Sequence, residues 1–433
     1  MAKKTKKKTS KAAQAVQPAW MLAETFTFDN HSYVIGDSGR LFGDPHPGPD
    51  ETSFQVDNTS QQYYRSPYYL LHKDQLQPFP KPRIDPPIMT LADVIGPNMI
   101  GAIMAAKQIS FHAVGDTGAA KNHDPSTEAA VADAMAAEVK AGGAAAPSFF
   151  FHLGDVIYYF GEGQYYYDQF YEPFRVYDRP IFAVPGNHDG VVFGYGKDTP
   201  KIPTLTAFLR NFCAKTPGPS PDAGSLVRSV MTQPGVYFTL DAPFVSIIGL
   251  YSNVLEGPGV ISSQGGAYPS IDDSQLAFLT SELQRLKPAR QNKERAVLIA
   301  VHHPPLSADS KHGGTTGLSQ DIDKACQSAG LWPDAVLSGH AHLYQRYAYH
   351  APGAGRDIPY VVSGSGGYSA TQPKAGTAKA PFTIGDVTLV NGPIVDFGYL
   401  TLKVNMTKAV KTLTISFKSP KQKKALDSVT VKL

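Results

Sequence analysis

Cysteine is almost missing from this chain of 433 residues: only Cys213 and Cys326 occur, far apart and outside any CxxC, so a disulfide framework is not expected to hold the fold. Long apolar runs are missing as well. None approaches the roughly 18 residues of a membrane span. The apolar core of a secretory leader is lacking too, because the stretch from Ala12 to Leu22 is broken by Gln14, Gln17 and Pro18. A cytoplasmic location is the resulting expectation. Charged residues make up only 18%, and the net charge of +3 has a local origin. Lys3, Lys4, Lys6, Lys7, Lys8 and Lys11 lie at the start, and without these six the remainder carries −3. No aromatic or amphipathic pattern accompanies the lysines, so residues 1–22 read as a solvated tail, and no nucleic-acid partner is expected.

What the sequence has in quantity is glycine, at 39 residues, and proline, at 35, which imply many turns around a regular centre. A hydrophobic share of 42% is ample for a large core. No internal repeat is visible. Residues 23–106 are rich in Pro, Tyr and Asp with weak periodicity, and read as a long-loop accessory region wrapping another domain. From 107 onward the texture becomes that of an α/β domain extending to 433. QISFHAV, SFFFHLG, PIFAVPG, FVSIIGL, AVLIAVH and AVLSGH read as strands buried on both faces. Helices fit between them. One starts with Asp124 as N-cap and Pro125 at the first helical position and ends at Gly142, and another covers 272–287. Residues 397–433 alternate with period two and read as antiparallel strands completing a sheet. The expected architecture is α/β, with two sheets packed face to face and helices outside.

Five of the apolar runs end in polar residues of particular types: GDTG (115–118), GDVIYY (154–159), GNHDG (186–190), HHPP (302–305) and GHAH (339–342). The carboxyl ends of strands are where loops of an α/β sheet converge on a ligand. Taken singly, a GD or GN pair is an ordinary turn former, and a lone histidine is more often a hydrogen-bonded core residue. Five together point to a metal site. Aspartate and asparagine supply hard oxygen, histidine supplies nitrogen, and tyrosine supplies a phenolate, a mixture that favours first-row metals over calcium or magnesium. A carboxylate can also bridge two cations.

In this order the five motifs resemble the signature of the calcineurin-like metallophosphoesterases and, more narrowly, of their purple acid phosphatase branch. Where other members carry DxH, this chain has Asp116-Thr117-Gly118, and a tyrosine follows Asp155 by three residues. The GDxxY spacing selects Tyr158 over Tyr159. The resemblance covers 107 to about 370, including SGSGG at 363–367, and implies a four-layer α-β-β-α sandwich of two mixed sheets. It implies that Asp116, Tyr158 and His342 hold a first metal, ferric iron, with Asp155 as the bridge. Asn187, His302 and His340 then hold a second, Fe2+, Zn2+ or Mn2+. Asn187 and His188 would contact the substrate, with His188 helping to protonate the leaving group. His312 is a further candidate for binding phosphate on spacing alone. Departures from the family pattern are Ile299 and Gln345, neither at a ligand position.

The implied reaction is hydrolysis of a small phosphate monoester by a metal-bound hydroxide attacking in line. A phosphodiesterase or nucleotide pyrophosphatase on the same metals is the alternative, and a catalytically silent scaffold is the alternative of another class. His112 and His152, inside apolar runs, read as buried supporting residues, and His303 as a neighbour of the site that does not bind metal. The aromatic stretch 158–174 reads as packing, since no Lys or Arg interrupts it before Arg175.

Overall fold

A computed structural model of the chain describes residues 24–28, 31–35, 53–74, 76–118, 125–143, 145–158, 161–190, 204–374, 377, 380–407 and 409–433. The lysine tail, Asp124 and Tyr159 lie outside these residues. Each apolar run read as a strand is one: Gln108–Val114, Phe150–His152, Ile181–Ala183, Val245–Leu250, Ala296–Val301 and Ala335–Ser338. The first three are parallel neighbours, and so are the last three.

The two trios lie in different mixed sheets. The smaller sheet has six strands, in the order Asp427–Lys432, Thr412–Lys418, Tyr399–Asn405, 108–114, 150–152, 181–183. Its last three strands in sequence are antiparallel, and Tyr399–Asn405 pairs directly with 108–114. The larger sheet has nine strands and runs from Phe382–Ile384 at one edge, through Ile358–Ser363 and the second trio, to Ile88–Thr90 at the other.

Both faces of the central strands are apolar because both are covered. Phe111, Phe151 and Leu402 of the smaller sheet meet Phe238, Ile247 and Leu298 of the larger in one buried core. Each such side chain contributes roughly 1.5–3 kcal/mol by leaving water. On the outer face of the smaller sheet, helix Ser126–Ala141 buries Val131, Met135 and Val139 at helical spacing. Helices Ser274–Gln291 and Thr316–Ala329 lie side by side over the larger sheet. The layers are therefore helix, sheet, sheet, helix. Pro125 precedes the helix that starts at Ser126 instead of opening it. The 274–291 helix runs past the expected end at 287, continuing through Pro288 to Gln291 at the cost of one backbone hydrogen bond.

In the 23–106 region, the described residues include regular elements that its composition does not suggest. Ile88–Thr90 adds an edge strand parallel to Phe238–Ala242, and Ala92–Ala106 is helical across a kink at Gly96, where φ is 75°. Gln55–Val56 pairs with Gly314–Thr315, which ties this region to the loop after Ala296–Val301. Among the described residues, no helix is long and apolar enough to cross a membrane.

Candidate metal centre

Because the strands of each trio are parallel, their carboxyl ends share one side, and the loops that follow meet there. Asp116, Asp155, Asn187, His302, His340 and His342 come from five turns of this kind, the last two from the same one, and are all buried. Three of them have left-handed backbone: Asp116 at φ 58°, Asp155 at 53° and His340 at 66°. Such conformations cost residues with a Cβ roughly 1–3 kcal/mol each and concentrate at functional sites. Asp189 helps hold the turns together, accepting hydrogen bonds from the backbone N–H groups of Val156 and Gly186. Between Asp155 and the 186–190 turn there is no room for a side chain at 186, since a Cβ on Gly186 would overlap the Asp155 carboxylate.

On one side of Asp155 stand Asp116, Tyr158 and His342. The Tyr158 phenol donates to Asp116 Oδ1 at 3.3 Å, and His342 Nε2 lies 3.4 Å from the same oxygen. Asp116 Oδ2 accepts from the backbone N–H of His340 at 2.8 Å. His342 Nδ1 is engaged with Ser369 Oγ at 2.6 Å, so its Nε2 is the atom facing the site. A Cβ on Gly118 would fall on the ring of Tyr158. The tyrosine therefore fills the space that a side chain at 118 would need. Tyr158 is held twice at its backbone by Gln169, from the π-helical turn Tyr167–Tyr171, and its ring stacks on Tyr368 at 3.6 Å. Burial, together with Asp155 and Asp116, raises the phenol well above its ordinary pKa, so only a cation at this place would make it a phenolate.

On the other side stand Asn187, His302 and His340. Asn187 Oδ1 lies 3.0 Å from His302 Nε2 and 3.2 Å from His340 Nδ1. His302 Nδ1 donates to the carbonyl of Leu153 at 2.9 Å, an assignment made from the hydrogen-bond network, which leaves Nε2 with a lone pair in the neutral ring. That lone pair is 3.3 Å from Asp155 Oδ2. Oδ2 is buried and accepts no hydrogen bond, whereas Oδ1 accepts from the His188 N–H at 2.9 Å. A carboxylate oxygen, an amide oxygen and imidazole nitrogens thus converge on one place. Asp155, His302 and His340 present ligand atoms all within 4.8 Å of one another. This donor set fits a first-row metal ion.

Without a cation, a proton must serve. Burial would lower the pKa of His302, but the carboxylates of Asp155 and Asp116 outweigh it and raise it to about 9. His340 is driven well below its ordinary value by burial and by His303, His312, His302 and His342, so its ring is neutral and free to donate electrons.

His188 is placed beside both clusters, with its ring 4.5 Å from that of Tyr158. His312, expected on spacing alone, is also at the site: its ring is 4.5 Å from His340 and 5.4 Å from His342. Its Nδ1 meets Asp309 Oδ2 at 2.6 Å and its Nε2 meets Glu256 Oε1 at 3.3 Å. With a carboxylate at each nitrogen, it carries a raised pKa despite the opposing effect of burial. His303 packs 4.3 Å from His340 with both nitrogens engaged, by Ser252 Oγ and the Leu255 carbonyl, which leaves it no lone pair for a metal. His152 contacts Thr117 Oγ1 at 2.9 Å, behind Asp116. His112 lies away from the site and pairs with Tyr177 and Glu138.

Glu256 is the residue that the sequence reading overlooks. Its buried carboxylate accepts from Asn187 Nδ2 at 2.9 Å and approaches His188, His312 and Lys311 at 3.6, 3.3 and 3.5 Å. Burial opposes its ionisation, but Lys311, His312 and His188 prevail and hold it well below the ordinary range. A signal was available: Glu256 lies in the loop after FVSIIGL, a sixth apolar strand pointing the same way as the others. Ser369 and Tyr368, which follow SGSGG, are legible only once the chain is folded.

A model of the calcineurin-like phosphoesterase family matches residues 109–344, just over half of the chain. A search of curated proteins finds no match. Among solved structures, the chain resembles GAP50, the anchor in the inner membrane complex of Plasmodium, at 13% identity and a TM-score of 0.52, over 75% of this chain and 89% of that one. It also resembles PhoD at 13% identity, with a TM-score of 0.41 and coverage of 75% and 72%. A dimetal phosphatase from Danio rerio gives 11% identity, a TM-score of 0.43 and coverage of 75% and 98%. The likeness to GAP50 concerns the fold alone, and the other two are too distant to argue from.

Proposed function

Since the chain belongs to the calcineurin-like phosphoesterase family, a family of metal-dependent phosphoester hydrolases, we propose that it is a two-metal phosphomonoesterase of the purple acid phosphatase kind. The observation that carries this reading is the position of Asp155. Its carboxylate lies between two donor clusters, with an orphaned oxygen facing His302 on one side and the buried phenol of Tyr158 close by on the other. The clusters differ in charge. Asp116 and Tyr158 offer anionic oxygen, which suits Fe3+, whereas Asn187, His302 and His340 are neutral donors, which suits Fe2+, Zn2+ or Mn2+.

Two bound cations would supply Lewis acidity, lowering the pKa of water and neutralising the phosphoryl oxygens. The chain supplies the rest. Asp155 would hold both ions, and His188, 19% exposed at its side chain, would be placed to hand a proton to the departing oxygen. His312, whose pKa is raised by Asp309 and Glu256 against the effect of burial, would offer positive charge to the phosphate. The substrate in this reading is a small phosphate ester.

The test is a comparison of an aryl phosphate monoester with the matching diester on metal-loaded protein. Faster turnover of the monoester is expected. Asp155→Asn should remove several kcal/mol of charge stabilisation, on the order of a thousandfold in kcat/KM. Preference for the diester would replace the monoesterase with a phosphodiesterase. Turnover of neither ester, unaltered by Asp155→Asn, would leave a silent scaffold.

A further inference from the structure

We propose that Glu256 is the positioning residue of the second metal half-site, acting through the side-chain amide of Asn187. An asparagine can offer a metal either its oxygen, which binds, or its NH2, which does not, and nothing in its shape distinguishes the two orientations. At Asn187 the choice is made by what lies behind the amide. Glu256 Oε2 accepts the Nδ2–H at 2.9 Å, and an ionised carboxylate is an acceptor only. Nδ2 is thereby committed to Glu256, and Oδ1 is left facing His302 Nε2 and His340 Nδ1 at 3.0 and 3.2 Å. Rotating the amide by half a turn would set its oxygen against the carboxylate and aim its N–H groups at the ligand position.

The two oxygens of Glu256 have separate tasks. Oε2 serves Asn187 and His188, while Oε1 faces His312 Nε2 and Lys311 Nζ, nitrogen partners that make a buried carboxylate tolerable at this place. Among the described residues, no comparable carboxylate stands behind the first half-site. Its His342 is oriented by the neutral hydroxyl of Ser369, and Asp116 needs no choice of end because both its oxygens accept. Removing Glu256 should therefore weaken one metal and spare the other. Groups of this kind, one step behind the ligands, typically change metal affinity 10- to 100-fold.

The inference rests on the two-metal reading, and zinc titration separates the two. Metal-free full-length protein is titrated with Zn2+ against a chromogenic chelator, with circular dichroism confirming the fold of each variant. The wild type is expected to take up two equivalents; a single equivalent would overturn the two-metal reading itself. With two equivalents in the wild type, Glu256→Ala should keep the first zinc at its original affinity and bind the second about 10- to 100-fold more weakly. Glu256→Gln, whose amide oxygen can still accept from Asn187, should keep the second zinc within about threefold of the wild type, well short of the loss typical of a missing supporting group. Two unchanged affinities in the alanine variant would refute the inference. So would a loss in the glutamine variant of about tenfold or more, which would assign the effect to charge instead of amide orientation. Should the alanine variant not fold, the glutamine variant decides alone on the same limits.

Discussion

Tyr158 shows how much a single side chain does here. Its backbone is clamped by Gln169 and its ring lies on Tyr368, so the position of the phenol does not depend on the weak 3.3 Å hydrogen bond to Asp116. Replacing the hydroxyl by hydrogen should therefore leave the fold nearly untouched, at a cost within about 1 kcal/mol. The effect on a bound ferric ion would be large, since phenolate-to-iron charge transfer would vanish. Iron-loaded wild type should show a visible absorption band, and Tyr158→Phe should lose it while the metal-free variant melts within a few degrees of the metal-free wild type. A band surviving in the variant would mean that Tyr158 is not a ligand. The left-handed backbone at Asp116, Asp155 and His340 belongs to the same scale. Three strained residues whose side chains converge on one point indicate local stability given up for a site.

At the scale of elements, the parallel strands and the turns after them account for what could be read in advance. Continuous apolar runs ending in GD, GN or GH announced both the central strands and the polar residues delivered at their ends. Helix Ala92–Ala106 was not legible, because Gly96 and Pro97 interrupt its pattern and it is helical only across a kink. Edge strand Ile88–Thr90, three residues long, carries too short a pattern to be seen against its proline-rich surroundings. Glu256 was hidden for another reason. It belongs to no motif, and its one signal, a place in the loop after a sixth apolar run, gains weight only when Val245–Leu250 pairs with Ala296–Val301. The GDTG turn gives a test at this scale. A methyl group at 118 would overlap the Tyr158 ring and reach the Gln169 Oε1 at 3.0 Å. Overpacking of this sort costs roughly 1–3 kcal/mol, and here the tyrosine is the group that must move. Gly118→Ala should therefore lose the visible band and the first metal while retaining the second, as measured by metal content per chain. Full occupancy of both would show that the ring and residue 118 do not compete.

Across the whole molecule, the outer helix and the smaller sheet are joined by one charged group outside the candidate metal centre. Glu138, on helix Ser126–Ala141, accepts from Lys418 at 2.8 Å, Tyr399 at 2.6 Å and Thr401 at 3.2 Å, and His112 Nε2 lies 3.4 Å away. These partners come from three strands of the sheet. Burial would raise the pKa of Glu138, but hydrogen bonds from His112, Lys418 and Tyr399 prevail and bring it down to about 2. His112 is itself kept neutral by burial, which puts the weight on Lys418 and Tyr399. The folded pKa thus lies below the ordinary value of 4.5. A depressed carboxylate adds stability above its unfolded pKa and loses it as pH falls toward the folded one, so the window runs from 4.5 down to about 2. Both Glu138 and Lys418 are about a quarter exposed, and after allowing for solvent screening the contribution is about 2 kcal/mol. Glu138→Gln should accordingly be less stable than the wild type by about that amount at pH 7, with the difference shrinking steadily below pH 4.5. Urea unfolding of both metal-free proteins across this range tests it, and removing the metals keeps ligand protonation out of the comparison. A difference that stayed constant with pH would make Glu138 a packing residue instead of an ionic tie between layers.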